Sequence, residues 1–295
     1  MTEAQTLLAI ENLMKQLIKP TYPWHNFEED FHDLKHDADA IYNPDCQYVP
    51  LVQAYFDRLN EFRVYRHCTV FINRQAFKRF QNEAKEVQEA FIQSFQRNNQ
   101  RNRNKLQVYF KKLVDRHCKL LLVRVDLHYA SDLCPSMKQF NKDIKKLIKR
   151  VQDKDTIFKG TVGYSYRLEQ GGKSRGYHCH LLVIYNGSKH HSDGYYGSMI
   201  GEMWQDQITL GDGAFYNCNT ATHKRSFRLE GKLGIGMIER KDKRAVANAL
   251  STISYLAKPD KDNQYLRTKL IRMREFGKGQ LDDRYFPWNR VMPMF

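Results

Sequence analysis

The chain has 295 residues, of which 41% are hydrophobic and 13% aromatic, with 16 glycines and eight prolines; this composition supplies a sizeable core and excludes a disordered protein. Its net charge of +15 and its six cysteines without a C-x-x-C pair predict a polyanionic partner such as nucleic acid and reduced thiols in a cytoplasm. No basic-then-apolar signal and no stretch of roughly 20 apolar residues is present, so a secreted or membrane-spanning protein is not expected.

The positive charge is placed unevenly along the chain. Residues 1–60 hold four basic side chains against ten acidic ones, a net charge of −6, which leaves +21 on residues 61–295. The later part is therefore the expected polyanion-binding region. A basic surface that serves only solubility is the alternative that charge alone leaves open.

The N-terminal part predicts mainly helices. Apolar residues recur at helical spacing over 4–18 and again over 73–97, where Asn73 is a candidate N-cap. The acidic, histidine-rich segment between these helices predicts a loop with a short helix near 48–60. A polar, basic run, NNQRNRNK, then separates the long helix from another at about 105–117, and is either a hinge or a phosphate-contacting loop.

From Lys119 onward, predicted strands alternate with predicted helices. The run KLLLVRVDLHY indicates a buried strand, and a basic amphipathic helix follows it at 136–152. A strand at 158–170, the turn GGKSRG and a strand at 177–187 together predict a hairpin.

A helix near 198–208, a strand at 232–240 and a helix at 243–257 complete the order β-α-β-β-α-β-α. This order predicts the α+β class with a ferredoxin-like, RRM-like palm, in which helices back a four-stranded antiparallel sheet. We therefore expect a helical N-terminal region over residues 1–110, of unknown role, and over 111–295 a domain that carries the palm and a C-terminal extension.

Two histidines in the second hairpin strand are candidate metal ligands. His178 and His180 are separated by one residue, and because side chains alternate faces along a strand, both imidazoles project to the same side. The turn brings Glu169 back beside them, and two imidazoles with one carboxylate suit Mn²⁺ or Mg²⁺ with positions left for phosphate oxygens. A surface pair of satisfied histidines is one alternative, and a strand-end glutamate paired with Lys173 or Arg175 is another.

Tyr255 is the candidate nucleophile. It lies in STISYLAK near the end of a predicted helix that Pro259 stops, and Lys258 follows three residues later on the same face. Because a phenol has a pKa of about 10, its attack on a phosphate needs a nearby cation and a metal that polarises the phosphate. Y-x-x-K is frequent by chance, and a tyrosine packed on the sheet beside a solvated lysine is the alternative.

Together these residues resemble the motifs of the HUH endonucleases, which combine a His-hydrophobe-His strand, an acidic residue on the adjoining strand and a later helix with Y-x-x-K. The stretch from about residue 119 to 258, including RLEQGGKSRGYHCHLLVIYNG and SYLAKPDKDNQYLR, is similar to inovirus-type replication initiators and prophage YagK/YfjJ-domain proteins. This resemblance covers roughly half the chain, and a cysteine stands where the family usually has a larger hydrophobe. The match runs, in the family's order, through Glu169, His178, Cys179, His180, Tyr255 and Lys258.

The resemblance implies a replication initiator that nicks and joins single-stranded DNA at an origin. A metal held by the glutamate and the two histidines would polarise the scissile phosphodiester. Tyr255 would attack it, leaving a 5′-phosphotyrosine and a free 3′-OH that primes rolling-circle synthesis of an inovirus, prophage or plasmid. Lys258 would neutralise charge near the phosphate or orient Tyr255, and a second tyrosine or a water would complete the cycle. No G-x-x-x-x-G-K-[ST] motif is present, so a host helicase would unwind the duplex for a host polymerase.

Other residues are candidates for contacts with DNA. Asp126 and His128, on the first strand, would either support the ligands or contact the substrate. Tyr164, Tyr166 and Tyr177 are near the expected site and are candidates to stack bases, worth about 1–3 kcal/mol each where stacking occurs, although core packing is the commoner fate of strand tyrosines. The candidate phosphate contacts, some of which are only solvated charges, are Lys138, Lys142, Lys145, Lys146, Lys149, Arg150, Lys173, Arg175, Arg267, Arg272 and Arg274.

Three other functions fit the same residues. A non-catalytic nucleic-acid-binding protein would use the sheet and leave the histidines incidental. A HUH transposase or relaxase would use the same site for mobilisation, and a metal-dependent hydrolase would leave Tyr255 with a structural role. Metal bound at the histidines argues against the first, whereas gene neighbourhood and origin location decide the second.

Overall fold

The computed structural model describes residues 1–65, 69–130, 133, 135–171, 176–257 and 265–281. Within these ranges the protein is α+β, with eight α-helices and an antiparallel main sheet. The helices are α1 (Glu3–Leu17), α2 (Phe27–Ile41), α3 (Pro50–Tyr65), α4 (Arg74–Arg116), α5 (Met137–Asp153), α6 (Asp193–Met203), α7 (Ala221–Leu229) and α8 (Lys243–Ala257). The strands are β1 (Cys46–Tyr48), β2 (Lys119–Tyr129), β3 (Thr161–Gln170), β4 (Tyr177–Asn186), β5 (Gly213–Asn217), β6 (Gly236–Glu239), β7 (Thr268–Leu270) and β8 (Phe276–Lys278). No helix in these ranges is both long enough and apolar enough to cross a membrane.

An apolar core rich in aromatic rings joins α1, α2, α3 and the first half of α4. The predicted helices at 4–18 and near 48–60 are confirmed as α1 and α3. The loop predicted between them is wrong over α2, where Phe27, Phe31 and Ala38 are buried along one side while the acidic side chains are exposed or half-buried. The acidic composition therefore belongs to the outer side of an amphipathic helix.

Helix α4 runs without a break for 43 residues. Asn73 caps it, because the side-chain oxygen accepts a hydrogen bond from the Ala76 amide at 2.9 Å. The predicted break at NNQRNRNK is wrong, since the run has no glycine or proline, its Arg, Gln and Lys residues sustain a helix, and Asn99 is buried within it. The boundary expected near residue 110 falls inside α4, which contributes side chains to both the N-terminal core and the core on the sheet.

The main sheet contains six of the described strands. β2, β4, β3 and β8 are consecutive neighbours, and β5 and β6 pair with opposite ends of the other edge of β2. The predicted strands at 119–129, 158–170 and 177–187 are confirmed as β2, β3 and β4, and β6 is a shorter form of the strand predicted at 232–240. β1, β5, β7 and β8 were not predicted, because runs of three to five residues carry too little alternation.

Helices cover both faces of the main sheet. α5 and α6 pack on one face, against alternate residues of β2 from Leu121 to Tyr129. We call this the α5 face. α8 and the last turns of α4 pack on the other, the α8 face, which begins with Leu120 and Leu122. The helices predicted at 136–152 and 243–257 are confirmed as α5 and α8, and the one near 198–208 is the end of α6 followed by a π-helical turn, Trp204–Ile208.

Candidate metal centre

The strand register brings the three predicted ligands together on the α8 face. Glu169 of β3 lies directly opposite His178 of β4. His180 lies between Arg167 of β3 and Asp126 of β2, each directly opposite it. Because directly opposed residues in antiparallel strands point to the same side of the sheet, all five side chains share one face.

Three donor atoms converge at this point. One donor from each of Glu169, His178 and His180 lies within 4.8 Å of the other two. The Oε2 atom of Glu169 is 3.5 Å from Nε2 of His178 and 3.3 Å from Nε2 of His180. The glutamate is buried and both histidines are partly accessible. This group can hold a metal ion. Because the two histidines are partly exposed, a substrate could reach such an ion from the α8 face.

Buried charge shapes the protonation of the cluster. Burial alone would lower the pKa of His180, but hydrogen bonds and charges from Asp126 and Glu169 outweigh it and raise the pKa to about 9. Burial alone would raise the pKa of Glu169, but hydrogen bonds from His178 and His180 outweigh it and lower the pKa to about 2. Without a metal, His180 is therefore an imidazolium held between two carboxylates.

The donor set fits a divalent cation. Nδ1 of His180 lies 2.7 Å from Oδ1 of Asp126, so a carboxylate fixes the ring with Nε2 directed at Glu169, the orientation that a metal ligand needs. Nε2 of His178 also faces Glu169, while its buried Nδ1 has no hydrogen-bond partner among the described residues. Two imidazoles and one carboxylate bind Mn²⁺ and similar transition-metal ions more readily than Mg²⁺, which prefers oxygen ligands.

Tyr255 lies over the same face of the sheet as the three ligands. It is on the last turn of α8 and 47% of its surface is exposed. The guanidinium carbon of Arg124 is 5.8 Å from the centre of its ring. The same guanidinium contacts Asp126, with Nε–Oδ1 and Nη2–Oδ2 distances of 3.2 and 3.3 Å. A continuous set of contacts thus runs from the phenol through Arg124 and Asp126 to His180.

Three predicted site residues fall outside the described part of the chain. They are Lys258, Lys173 and Arg175. His128, left open between two roles, is on the same strand as Asp126 and two residues farther along, so it shares the α8 face. Asp126 itself takes the supporting role, because it holds His180.

The tyrosines expected near the metal ligands lie elsewhere. Tyr164 and Tyr166 pack against the core of the α5 face, on the opposite side of the sheet from Glu169, so their predicted proximity to the site is wrong. Tyr177 is 1% exposed and its hydroxyl donates to Oε1 of Glu3 at 2.7 Å. The alternation of side chains explains all three positions, because each is an odd number of residues from the nearest ligand on its strand.

The basic residues expected to contact phosphate lie in three different environments. Those of α5 belong to a helix that covers the α5 face, away from the three ligands. The predicted phosphate contact at Arg267 is wrong, because this side chain is 2% exposed and its Nε donates to Oε2 of Glu11 at 2.8 Å. Arg272 and Arg274 are exposed. The α5 residues concerned are Lys138, Lys142, Lys145, Lys146, Lys149 and Arg150.

Three polar groups at the site were missed by the sequence prediction, namely Arg124, Arg167 and Tyr216. Arg167 is 2% exposed, with Nε 3.6 Å from Oε1 of Glu169 and Nη1 donating to Oδ1 of Asn99 at 2.9 Å. Tyr216 is directly opposite Asp126 in β5, and its hydroxyl is 3.1 Å from Nδ1 of His223. A sequence signal existed for the two arginines, because Arg167 is two residues from Glu169 and Arg124 is two residues from Asp126, so each shares the face of that carboxylate.

No family model, no curated protein and no solved structure matches this chain.

Proposed function

We propose that this protein is a metal-dependent HUH endonuclease that nicks and joins single-stranded DNA through Tyr255 to start rolling-circle replication of an inovirus, prophage or plasmid. The observation that carries the proposal is the convergence of Glu169, His178 and His180 on the face of the sheet that Tyr255 also covers. Transfer of a phosphodiester to a tyrosine needs both a cation that polarises the phosphate and a phenol on the same side of the sheet. The acceptor would be an origin strand in a bacterial cytoplasm, opened by a host helicase and copied by a host polymerase.

The strand order supports the same proposal. β6, β2, β4 and β3 are adjacent in that order and all pairs are antiparallel. This is the order of a ferredoxin-like palm, in which the first strand is central and the hairpin follows the first helix. β5 and β8 extend the palm at its two edges.

The chemistry would be a transesterification in which no external energy source is consumed. A divalent ion bound by the three ligands would polarise the scissile phosphate. The phenolic oxygen of Tyr255 forms a bond to phosphorus, the bond from phosphorus to the 3′ oxygen breaks, and the phenolic proton is lost to solvent while the 3′ oxygen gains one. The products are a 5′-phosphotyrosine and a 3′-OH.

Arg124 is suited to assist this step. Its guanidinium lies between the Tyr255 ring and Asp126, and a cation beside a phenol favours loss of the phenolic proton. It also has the planar donor geometry that binds phosphate oxygens. Asp126 keeps this guanidinium and the His180 ring in place at the same time.

The replication cycle ends with a second cleavage at the regenerated origin, and Tyr216 has the features of a nucleophile for that step. Its position opposite Asp126 puts it on the α8 face, and half of its surface is exposed. Nδ1 of His223 lies within hydrogen-bond distance of its hydroxyl and can accept its proton. Attack of Tyr216 on a second origin junction would form a new 5′-phosphotyrosine and release a 3′-OH. Attack of that 3′-OH on the Tyr255 phosphotyrosine would close the strand and free the Tyr255 phenol.

The proposal is tested by trapping the covalent intermediate. A 5′-labelled strand carries its label away from the adduct, so a 3′-labelled single-stranded origin oligonucleotide is incubated with the protein and Mn²⁺ and resolved on a denaturing gel. We expect an adduct that Tyr255→Phe abolishes while DNA binding persists, and that Tyr195→Phe, at an exposed tyrosine of α6, leaves unchanged. An adduct that survives Tyr255→Phe at full yield contradicts the assignment of the nucleophile.

A HUH transposase or relaxase would give the same adduct. Replication of a plasmid that carries the origin, compared with transfer or excision of a marked element, separates these functions from replication initiation.

A further inference from the structure

A groove opens at the outer edge of the main sheet, beyond the short strand β8. β8 pairs with β3 only over Ser165–Arg167, and next to this pairing lies a cavity of about 380 Å³ between β3, the end of α5 and the segment that follows β8. Such a volume is within the range of about 300–1,000 Å³ that small-ligand sites occupy. Tyr166, the groove residue of β3 nearest to Glu169, is three positions from it, roughly 10 Å along the strand, and its side chain points to the opposite face of the sheet. The groove is therefore separate from the metal centre.

The groove is positively charged. Lys154, Arg274 and Lys278 line it, and no carboxylate is among the described residues of its wall. The three carboxylates that adjoin Lys154 and Arg274 along the chain are paired elsewhere, Asp153 with Lys149 at 2.8 Å, Asp155 with Arg150 at 3.0 Å and Glu275 with Lys269 at 3.1 Å. Lys154 and Arg274 are exposed, and the described part of the wall carries no acid, which favours an anionic ligand. Lys278 lies over the ring of Tyr109, with its Nζ 4.6 Å from the ring centre.

Three tyrosines supply the aromatic part of the wall. Tyr164 and Tyr166 are half-buried. The Tyr164 hydroxyl accepts a hydrogen bond from Nε2 of Gln152 at 2.9 Å, and the Tyr109 hydroxyl accepts one from the Tyr164 amide at 3.3 Å. These contacts hold the rings in place before any ligand arrives, which lowers the entropy cost of binding.

Glycine allows the chain after β8 to approach these rings closely. A Cβ atom at Gly277 would lie 2.3 Å from the ring of Tyr166. A Cβ atom at Gly279 would lie 2.5 Å from the hydroxyl of Tyr109 and 3.3 Å from the ring of Tyr164. Any larger residue at these two positions would push the rings away, so the backbone itself forms one side of an aromatic wall.

We propose that this groove binds a nucleotide of single-stranded DNA, with its base against Tyr164 and Tyr166 and its phosphates at Lys154 and Arg274. An aromatic wall combined with cations and without acids is the combination that single-strand binding uses, because every base offers a face to stack and every linkage a charge. This inference rests on the proposed function for its ligand. The groove would be a second contact with the DNA, some nucleotides away from the scissile phosphate. The bound DNA strand would pass around the β8 edge of the sheet to reach it.

The test measures binding without cleavage. A fluorescein-labelled 20-nucleotide oligo(dT) is titrated with the full-length protein in EDTA, and the fluorescence anisotropy is followed at several salt concentrations. We expect Tyr166→Leu to weaken binding at least about fivefold, and the double variant Lys154→Gln with Arg274→Gln to lower the slope of log K against log salt by about 1.4, or about 0.7 for each lost contact.

Matched control variants separate the loss of a groove contact from misfolding or a general loss of surface charge. Tyr166→Phe keeps the ring and should bind within twofold of the wild type, which separates lost stacking from a folding defect in Tyr166→Leu. Tyr195→Leu on α6 and Lys85→Ala on α4, both exposed and away from the groove, should also stay within twofold.

Unchanged oligo(dT) binding by Tyr166→Leu and by the double variant overturns the inference. An equal loss of affinity for a 20-base-pair duplex also overturns it, because a basic surface alone would then explain the binding. Failure of the nicking proposal looks different: the Tyr255 adduct does not form with Mn²⁺, while the losses in EDTA remain.

Discussion

The two faces of the main sheet differ in the chemistry that they bury. On the α5 face, alternate residues of β2 from Leu121 to Leu127 are apolar and fully buried. On the α8 face the same strand begins with Leu120 and Leu122 and then changes to Arg124 and Asp126. Hydrophobic packing thus covers one whole face but only one end of the other.

This difference shows where folding alone does not explain the sequence. Burying charged groups costs free energy that ion pairing only partly recovers. The polar end of the α8 face gathers Asp126, Arg167, Glu169 and two histidines between paired strands. A leucine at any of these positions would extend the core already present at the other end. The charges are therefore best explained by a function of that end of the face.

The largest expected effect is on Mn²⁺ binding, and it should distinguish two neighbouring residues of β4 whose side chains point to opposite faces. His178→Ala removes a ligand, so we expect loss of measurable Mn²⁺ binding by isothermal titration calorimetry and loss of the covalent adduct. Cys179→Ala, at a fully buried position of the α5 face, should lower the free energy of unfolding by about 1 kcal/mol and keep Mn²⁺ binding. Retained binding in His178→Ala would discredit the ligand set.

A smaller effect is expected from a carboxylate that supports a ligand. Asp126→Asn weakens the hold on His180, so we expect Mn²⁺ affinity to fall about 10- to 100-fold. The matched variant is Asp143→Asn, at a buried carboxylate of α5 that accepts a hydrogen bond from the Tyr129 hydroxyl at 3.0 Å. It should change stability and leave metal affinity unaltered. Equal losses of affinity in both variants would mean that the two faces do not differ as described.

The mildest perturbation is a change of pH, which alters metal affinity by at most about tenfold per unit without changing a residue. In the metal-free protein the pKa of His180 is raised from 6.5 to about 9, so its imidazolium stabilises the fold below pH 6.5 and this contribution is lost as the pH rises through 9. Metal must displace the same proton. We expect Mn²⁺ affinity to rise between pH 6.5 and 8.5 by up to about tenfold per unit, measured by titration at constant ionic strength. An affinity that stays flat over this range contradicts the protonation of His180 in the free protein.

Periodicity along the chain was sufficient for the parts of the fold that repeat a pattern. The strands β2, β3 and β4 and the amphipathic helices α1, α5 and α8 have long enough runs for alternation or helical spacing to identify them. The spacing of His178 and His180 similarly predicted a shared face. Helix α2 was missed because charge dominates its composition, although Phe27 and Phe31 already had the helical spacing of a buried side.

Contacts between distant segments could not be predicted in this way. The pairing of Arg167 with Asn99 joins residues 68 positions apart, and Tyr216 reaches the site only because the short strand β5 pairs with β2. No local pattern encodes either contact. The position of Tyr164 and Tyr166 on the α5 face was predictable, since counting residues from Glu169 along β3 separates the two faces.

The central claim is that Glu169, His178 and His180 bind one divalent cation on the face that Tyr255 covers. Crystals soaked in Mn²⁺ and measured near the manganese absorption edge test it directly. We predict one anomalous peak within bonding distance of Nε2 of both histidines and of the Glu169 carboxylate, and no such peak in His178→Ala crystals. A wild-type crystal with no peak at these three atoms, or with its Mn²⁺ bound by other residues, would contradict the account.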